Sequence, residues 1–179
     1  MGLEETTPRN ASFKLILGSS SIARRQILSE MGYDFTIMTA DIDEKSIRKE
    51  KPEELVMALA EAKADAIMSR LKGSTDLKKS EKPVLLLTAD TVVVYQGIIR
   101  EKPSSKEEAR KFIKDYSGGH TAVVGSVVIT NLTNGNRKGD WDRAEVHSEP
   151  FNIFAKVIYR NSNQSALCTE IYIIGFYNQ

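Results

Sequence analysis

A single aspartate inside an otherwise apolar run constrains this chain more than any other feature. Residues 84–95 read VLLLTADTVVVY. Their β-branched content and near-continuous apolarity predict a central strand buried on both faces. Asp90 sits in the middle of that run, between Thr88 and Thr91. A carboxylate taken out of water without a partner is costly, so Asp90 must be neutral, paired, or turned into a cleft where a cation binds. An aspartate that merely capped a turn would stand at a strand end. The strand continues through Asp90, which favours the cleft.

The segments around this strand alternate in type. FKLIL (13–17) reads as a buried strand, followed by Gly18 and three serines. Ile22, Ile27, Leu28 and Met31 mark a short helix that Gly32 stops. Residues 35–39 read as a second strand and 45–51 as a charged loop. Pro52 suits a first helical turn, and Leu55, Leu59, Ala62, Ala66 and Ile67 recur at helical spacing, so 52–71 is the longest predicted helix. Residues 72–82 are a solvated loop. Gln96-Gly97 turns the central strand into a short return strand at 98–99. Ser104 or Ser105 then caps a helix to about Tyr116, with Glu107 or Glu108 completing a capping box. A strand over 123–130, an Asn134-Gly135 hairpin and a return strand over 141–146 follow. FNIFAKVIYR (151–160) fits either strand or helix, NSNQS a loop, and ALCTEIYIIGFY a last strand-like run. Helices interleave with strands early and strands pair as hairpins late. That order predicts a single α/β domain with a mixed sheet, not a doubly wound parallel one.

Several polar residues stand where chemistry is possible. Ser19, Ser20, Ser21 and Arg24 follow a strand and open a helix; amides, hydroxyls and a guanidinium there suit a phosphate, and a plain N-cap with solvated arginines fits the same pattern. Lys63 alone reads as a flank lysine with its stem on the core. Lys102 alone reads as a loop charge, Asp43-Glu44 as an acidic helix start, and His120 as a ligand or a loop residue. Together they supply acids for a divalent cation and bases for phosphate oxygens, which is what hydrolysis between phosphates requires. No Walker loop, Gly-x-Ser-x-Gly elbow or His-Glu-x-x-His is present.

Read in order, LILGSSSIARRQIL, ADIDEKSI, LAEAKA, LTADTVVVYQG, REKPSSKEEA and YSGGHTAVVGSVVI resemble the Maf family of nucleotide pyrophosphatases, over residues 13 to about 146. The resemblance implies an elongated inosine-triphosphate-pyrophosphatase-like fold with a mixed sheet and a central cleft. It implies hydrolysis of a nucleoside triphosphate to the monophosphate and pyrophosphate with Mg2+ or Mn2+. By motif position, Asp90 is the implied general base and, with Glu44, a metal ligand. Ser19, Ser20, Ser21, Arg24, Lys63 and Lys102 are the implied phosphate-binding residues. Thr91 matches the dTTP/UTP type, where the 7-methyl-GTP subgroup tends to carry Gln. Ala23 stands where the family has its first arginine, which helps set substrate choice, so it is a specificity position. Ser-Gly-Gly-His is one residue shorter than the common spacing.

The resulting partition is a disordered 1–11, a pyrophosphatase domain over 12–146 and a tail, 147–179, that departs from the family pattern and leaves part of one cleft wall unsupplied. A second reading is therefore a shortened, weakly active nucleotide-binding or regulatory form. With 25 basic against 24 acidic residues there is no bulk electrostatic case for nucleic acid or an anionic membrane. One cysteine, Cys168, and an acidic N-terminal stretch without a signal-like apolar core point to a cytoplasmic protein. The family also implies a possible homodimer.

Overall fold

The computed structural model describes residues 12–72, 80–148 and 155–159. Expectations for 1–11, most of the 72–82 loop and the NSNQS and ALCTEIYIIGFY segments lie outside them. Seven strands form one mixed sheet: β1 (Lys14–Leu17), β2 (Phe35–Ile37), β3 (Val84–Tyr95), β4 (Ile98–Arg100), β5 (His120–Asn131), β6 (Arg137–Ser148) and β7 (Ala155–Tyr159). Their order is β2-β1-β3-β5-β6-β7, with β4 also paired to β3. The β1–β2 and β1–β3 pairs are parallel and the others antiparallel. Among the described residues three α-helices accompany the sheet: α1 (Ile22–Glu30), α2 (Pro52–Leu71) and α3 (Lys106–Tyr116).

The apolar run 84–95 becomes β3, the central strand, and its alternation divides the core in two. On one face Val84 and Leu86 pack with Ile16, Ala64 and Ile67, and Val92 packs with Val124, Leu55, Val56 and Leu59. This face carries α2, whose buried Ala60 and Ala64 present little side-chain bulk to the sheet. Two buried hydroxyls fix the helix there: Thr88 Oγ1 donates to the Ala60 carbonyl (2.8 Å) and Ser126 Oγ to that of Val56 (2.7 Å). On the other face Leu87 joins Leu15, Leu17 and Leu28 of α1, while Val93, Val123 and Val146 meet Tyr116 of α3. α3 buries no residue fully. The Arg100 guanidinium helps hold it, lying 4.5 Å from the Phe112 ring centre and 4.6 Å from that of Tyr95 while pairing with Asp115 at 2.7 Å.

The structure follows the expected elements closely and differs in extent. β5 starts at His120 rather than Val123, and β6 at Arg137 rather than Trp141. The extra residues of β6 are polar and exposed, so they carry no apolar signal, yet their backbones continue the ladder to β5. Residues 44–46 form a single 3-10 turn capped by Asp43 instead of a plain loop. The ambiguous 151–160 segment contributes β7, a strand. At the β3–β4 hairpin, Gln96 and Gly97 both take positive φ (50° and 78°), the twist that a two-residue turn needs.

One arrangement positions everything that follows. On its outer edge β3 pairs with β1 only through Leu87, opposite Leu17, and with β4 only from Val93, opposite Arg100. Residues 88–92 face no strand on that edge among the described residues, and Asp90 lies in the opening. The chain leaves β1 at Gly18, whose N–H donates to the Leu87 carbonyl (2.7 Å). A Cβ at Gly18 would meet Thr88 Cγ2 at 2.5 Å, Ile67 Cδ1 at 2.9 Å and the Leu87 carbonyl oxygen at 3.2 Å. Thr88 and Ile67 are fully buried and have no room to yield. Gly18→Ala is therefore expected to cost about 1–3 kcal/mol by overpacking, or a fall in Tm of roughly 3–10 °C for a domain of this size. Thermal denaturation checks this, and an unchanged Tm would mean that β1 and α2 are not so tightly apposed.

Candidate active site

Asp90 and its neighbours converge at the gap in the sheet edge from three elements. Asp90 is contributed by β3 and is 8 % exposed. Lys63, on α2, sends its ammonium between two carboxylates: 2.5 Å from Asp90 Oδ1 and 3.0 Å from Glu44 Oε1. Lys63 is well buried and Glu44 half exposed, so the triad runs from the interior toward solvent. Lys63 reaches this point because the hydroxyls of Thr88 and Ser126 seat α2 directly over the sheet.

From the opposite face α1 delivers Arg24. Its Nη1 donates to Ser19 Oγ and to the Ala89 carbonyl, both at 3.1 Å, and its Nη2 donates to Thr91 Oγ1 at 3.1 Å. Ala89 has no strand partner on this edge, so the guanidinium takes the place of a missing ladder hydrogen bond. Ser19 Oγ also accepts from the Ser21 N–H (3.2 Å), and Ser21 caps α1 by accepting from the Arg24 N–H (3.4 Å). Ser20 is exposed, and its carbonyl accepts from Arg25 (2.9 Å). Ala23 is 3 % exposed and packs inside α1.

Lys102 is exposed on the segment between β4 and α3 and makes no hydrogen bond or ion pair among the described residues. It follows two residues after Arg100, which pairs with Val93 at the end of the β3–β4 ladder. The sequence candidates thus fall into a joined set (Ser19, Ser21, Arg24, Glu44, Lys63, Asp90, Thr91), two exposed residues (Ser20, Lys102) and one buried position (Ala23).

Burial pushes the Asp90 carboxyl above its ordinary value. Lys63 opposes this by charge and hydrogen bond, Arg24 opposes it more weakly, and Glu44 adds to the rise. A carboxylate raised in this way is better suited to accept a proton near neutrality than a solvated one. Both carboxylates lie within 3.0 Å of the same nitrogen, and hard oxygen donors of this kind suit Mg2+ or Mn2+. Among the described residues no three or more His, Cys, Asp or Glu side chains gather as a metal site. A divalent ion here would take its remaining ligands from phosphate and water, as magnesium commonly does.

A second polar cluster was not anticipated. Glu145, 8 % exposed, receives the Arg143 Nε at 2.9 Å and lies 2.7 Å from His120 Nε2. His120 and Arg143 border a separate cavity of about 440 Å³ with Val94, Gln96 and Ala122. Glu145 stands in a strand rich in other polar residues (Asp142, Arg143, His147), so its sequence surroundings do not mark it as those of Asp90 do.

Residues 14–163 match the family model described as "Maf-like protein", and the chain belongs to that family. It is 41 % identical to a "7-methyl-GTP pyrophosphatase" of Dictyostelium discoideum, covering 74 % of this chain and 66 % of the relative. It is 33 % identical to a "dTTP/UTP pyrophosphatase" of Caldicellulosiruptor bescii (80 % and 65 %) and 38 % identical to a "Nucleoside triphosphate pyrophosphatase" of Chlamydia muridarum (65 % and 55 %). The chain spans just under two thirds of the first two relatives' length and little over half of the third's. No helix among the described residues is long and apolar enough to cross a membrane.

The Asp90 environment makes a signed prediction. A carboxyl raised in the folded state contributes stability that is full below the unfolded-state value and is lost as pH rises through the folded one. At pH 8 wild type therefore carries the burden of the ionised form. Asp90→Asn is expected to melt at or above wild type at pH 8, with the advantage gone by about pH 4. A lower Tm for Asp90→Asn at pH 8 would mean that the Lys63 pairing outweighs desolvation.

Proposed function

We propose that this chain hydrolyses nucleoside triphosphates to the monophosphate and pyrophosphate with a divalent cation, and that it prefers pyrimidine nucleotides of the dTTP/UTP type. The observation that carries the reading is the Asp90–Lys63–Glu44 triad at the open edge of β3, facing Arg24 and Ser19. Family membership and the printed names of the relatives support the reaction class. Thr91 supports the pyrimidine preference, since it is the residue expected of the dTTP/UTP type and its hydroxyl is fixed in the cleft by Arg24.

In this reading the triphosphate enters the gap between the ends of β1 and β4. Asp90 accepts a proton from the attacking water, and its raised affinity for protons favours that transfer. Lys63 moves from the two carboxylates to a phosphate oxygen, where it offsets the charge of the transition state. Lys102, exposed and without a protein partner among the described residues, approaches the phosphates from the solvent side. Arg24 and Ser19 set the inner wall. Glu44 and Asp90 would hold Mg2+ or Mn2+, which would supply charge neutralisation and an acidified water.

Pyrophosphate release from dTTP, UTP and 7-methyl-GTP with Mg2+ or Mn2+ tests this. Turnover is expected to be fastest with dTTP or UTP and to fall at least about 100-fold in Asp90→Asn, the usual size of a lost general base. Lys102→Ala should lower kcat/KM about tenfold or more, as loss of a charged phosphate contact does, with no change in Tm. Preference for 7-methyl-GTP would overturn the pyrimidine assignment alone. Nucleotide binding without turnover would overturn the catalytic reading and favour a binding or regulatory role.

A further inference from the structure

Two loops border the gap in the sheet. The first joins β2 to α2 and carries Glu44; the second joins β4 to α3 and carries Lys102. The first is anchored by Ile47, which packs with Val94 and Ile99 against the Leu55–Val92–Val124 cluster. The second is held at one end by Arg100 in its aromatic cage and at the other by Glu108, which accepts from the N–H and hydroxyl of Ser104 (2.6 and 2.7 Å). The Ser104 bonds hold the Glu108 carboxyl below its ordinary value; Arg100 and Lys45 add smaller effects, which places Lys45 of the first loop within electrostatic reach of the second.

One ion pair joins the two loops directly. Arg48 Nη1 lies 3.0 Å from Glu101 Oε1 and also donates to the Ile47 carbonyl at 3.0 Å. Arg48 follows Glu44 by four residues, and Glu101 immediately precedes Lys102. The side chains are 54 % and 38 % exposed. An exposed pair of this kind contributes at most about 1 kcal/mol to folding, so stability gives it no evident purpose. Its position does, because it spans the opening between the group that would hold a cation and the group that would grip a phosphate.

We propose that Arg48 and Glu101 are positioning residues whose ion pair sets the spacing of the Glu44 and Lys102 loops across the cleft mouth. The inference rests on the nucleotide reading above and extends it to residues outside the phosphate and metal set. A nucleotide–cation complex that must draw two independent loops together loses affinity to their ordering; loops already tied have lost that freedom beforehand. Asp90 and Lys63 are rooted in β3 and α2, not in these loops. The effect therefore falls on KM and on the half-saturating metal concentration, while kcat stays close to wild type.

The test compares the full chain with Arg48→Glu, Glu101→Arg and the double exchange, using UTP or dTTP with Mn2+. Each single variant is expected to raise KM about three- to fivefold, the size of one exposed charge pair, with kcat within about twofold and Tm unchanged. The double exchange should return KM to near the wild-type value, and the effect should fade as salt rises from about 0.05 to 0.5 M. Hydrogen exchange at residues 44–48 and 101–103 supplies a readout that needs no turnover: faster in either single variant, restored in the double. Additive losses without rescue, or unchanged KM in both single variants, overturn the proposal while leaving the pyrophosphatase reading intact. If wild type turns over no nucleotide, that reading fails instead, and the coupling of the two loops stands or falls on hydrogen exchange alone.

Discussion

A buried carboxylate held by a lysine ammonium is the interaction on which the rest of this architecture depends. Asp90 sits in the central strand with apolar side chains above and below it, where an isolated charge would be excluded. Lys63 makes it tolerable, and Lys63 is itself divided between Asp90 and Glu44. Such a pair gains little for folding, because desolvation of both ions offsets most of their attraction. The raised Asp90 carboxyl says the same in another form, with burial the largest influence and Lys63 only opposing it. A chain selected for stability alone would place a valine at position 90, and the proposed nucleotide and cation site would give the carboxylate its purpose.

The sheet topology supplies the opening that this pair needs. A central strand bordered by one continuous neighbour on each edge would seal Asp90 in. Here β1 ends opposite Leu87 and β4 begins opposite Val93, so one edge of β3 is covered at both ends and open in the middle. Both faces of the sheet then reach the same spot: α2 delivers Lys63 from one side and α1 delivers Arg24 from the other. The other edge stays fully laddered to β5 from Leu85 to Tyr95, which keeps the strand rigid through the gap. A strand and a helix hold Asp90 and Lys63, and loops hold Glu44 and Lys102, so in the proposed site the proposed base stands on the regular elements.

Much of this was legible in the sequence, for identifiable reasons. The strand Val84–Tyr95 and the helix Pro52–Leu71 show their full extent because their apolar periodicity is complete. Asp90 stood out because its surroundings contradict it. Lys63 and Glu44 did not, since taken alone each fits an ordinary surface residue; only the resemblance joined them to Asp90, and their contacts span segments far apart along the chain. The start of β6 carries no apolar signal because its residues are exposed and its ladder needs only backbone, while β5 opens on the polar pair His120-Thr121 although Thr121 and Ala122 are buried. Glu145 lacks the contrast that marks Asp90, because Asp142, Arg143 and His147 share its strand and its burial arises only from the fold. The Arg48–Glu101 pair has no sequence signal at all, as both belong to charged stretches that read as loop.

Arg24 shows how geometry refines a role inferred from a motif. As a phosphate ligand it would need donors turned toward the cleft. Yet Nη1 is shared between Ser19 Oγ and the Ala89 carbonyl, and Nη2 is given to Thr91 Oγ1. A planar guanidinium satisfied in this way is a fixed part of the wall, and exchanging those bonds for a phosphate would leave the Ala89 carbonyl at the open strand edge without its partner. The ammonium of Lys63 is a different kind of group: a point charge on a flexible stem, able to leave two carboxylates for a phosphate oxygen without unmaking any backbone contact. These bonds make Arg24 a fixed part of the wall that holds the Thr91 hydroxyl, whereas Lys63 is held by carboxylates alone and, in the proposed reaction, is the cation that would follow the substrate. Ser19 is buried because it belongs to the frame that Arg24 braces, whereas Ser20 lies outside that frame and is exposed.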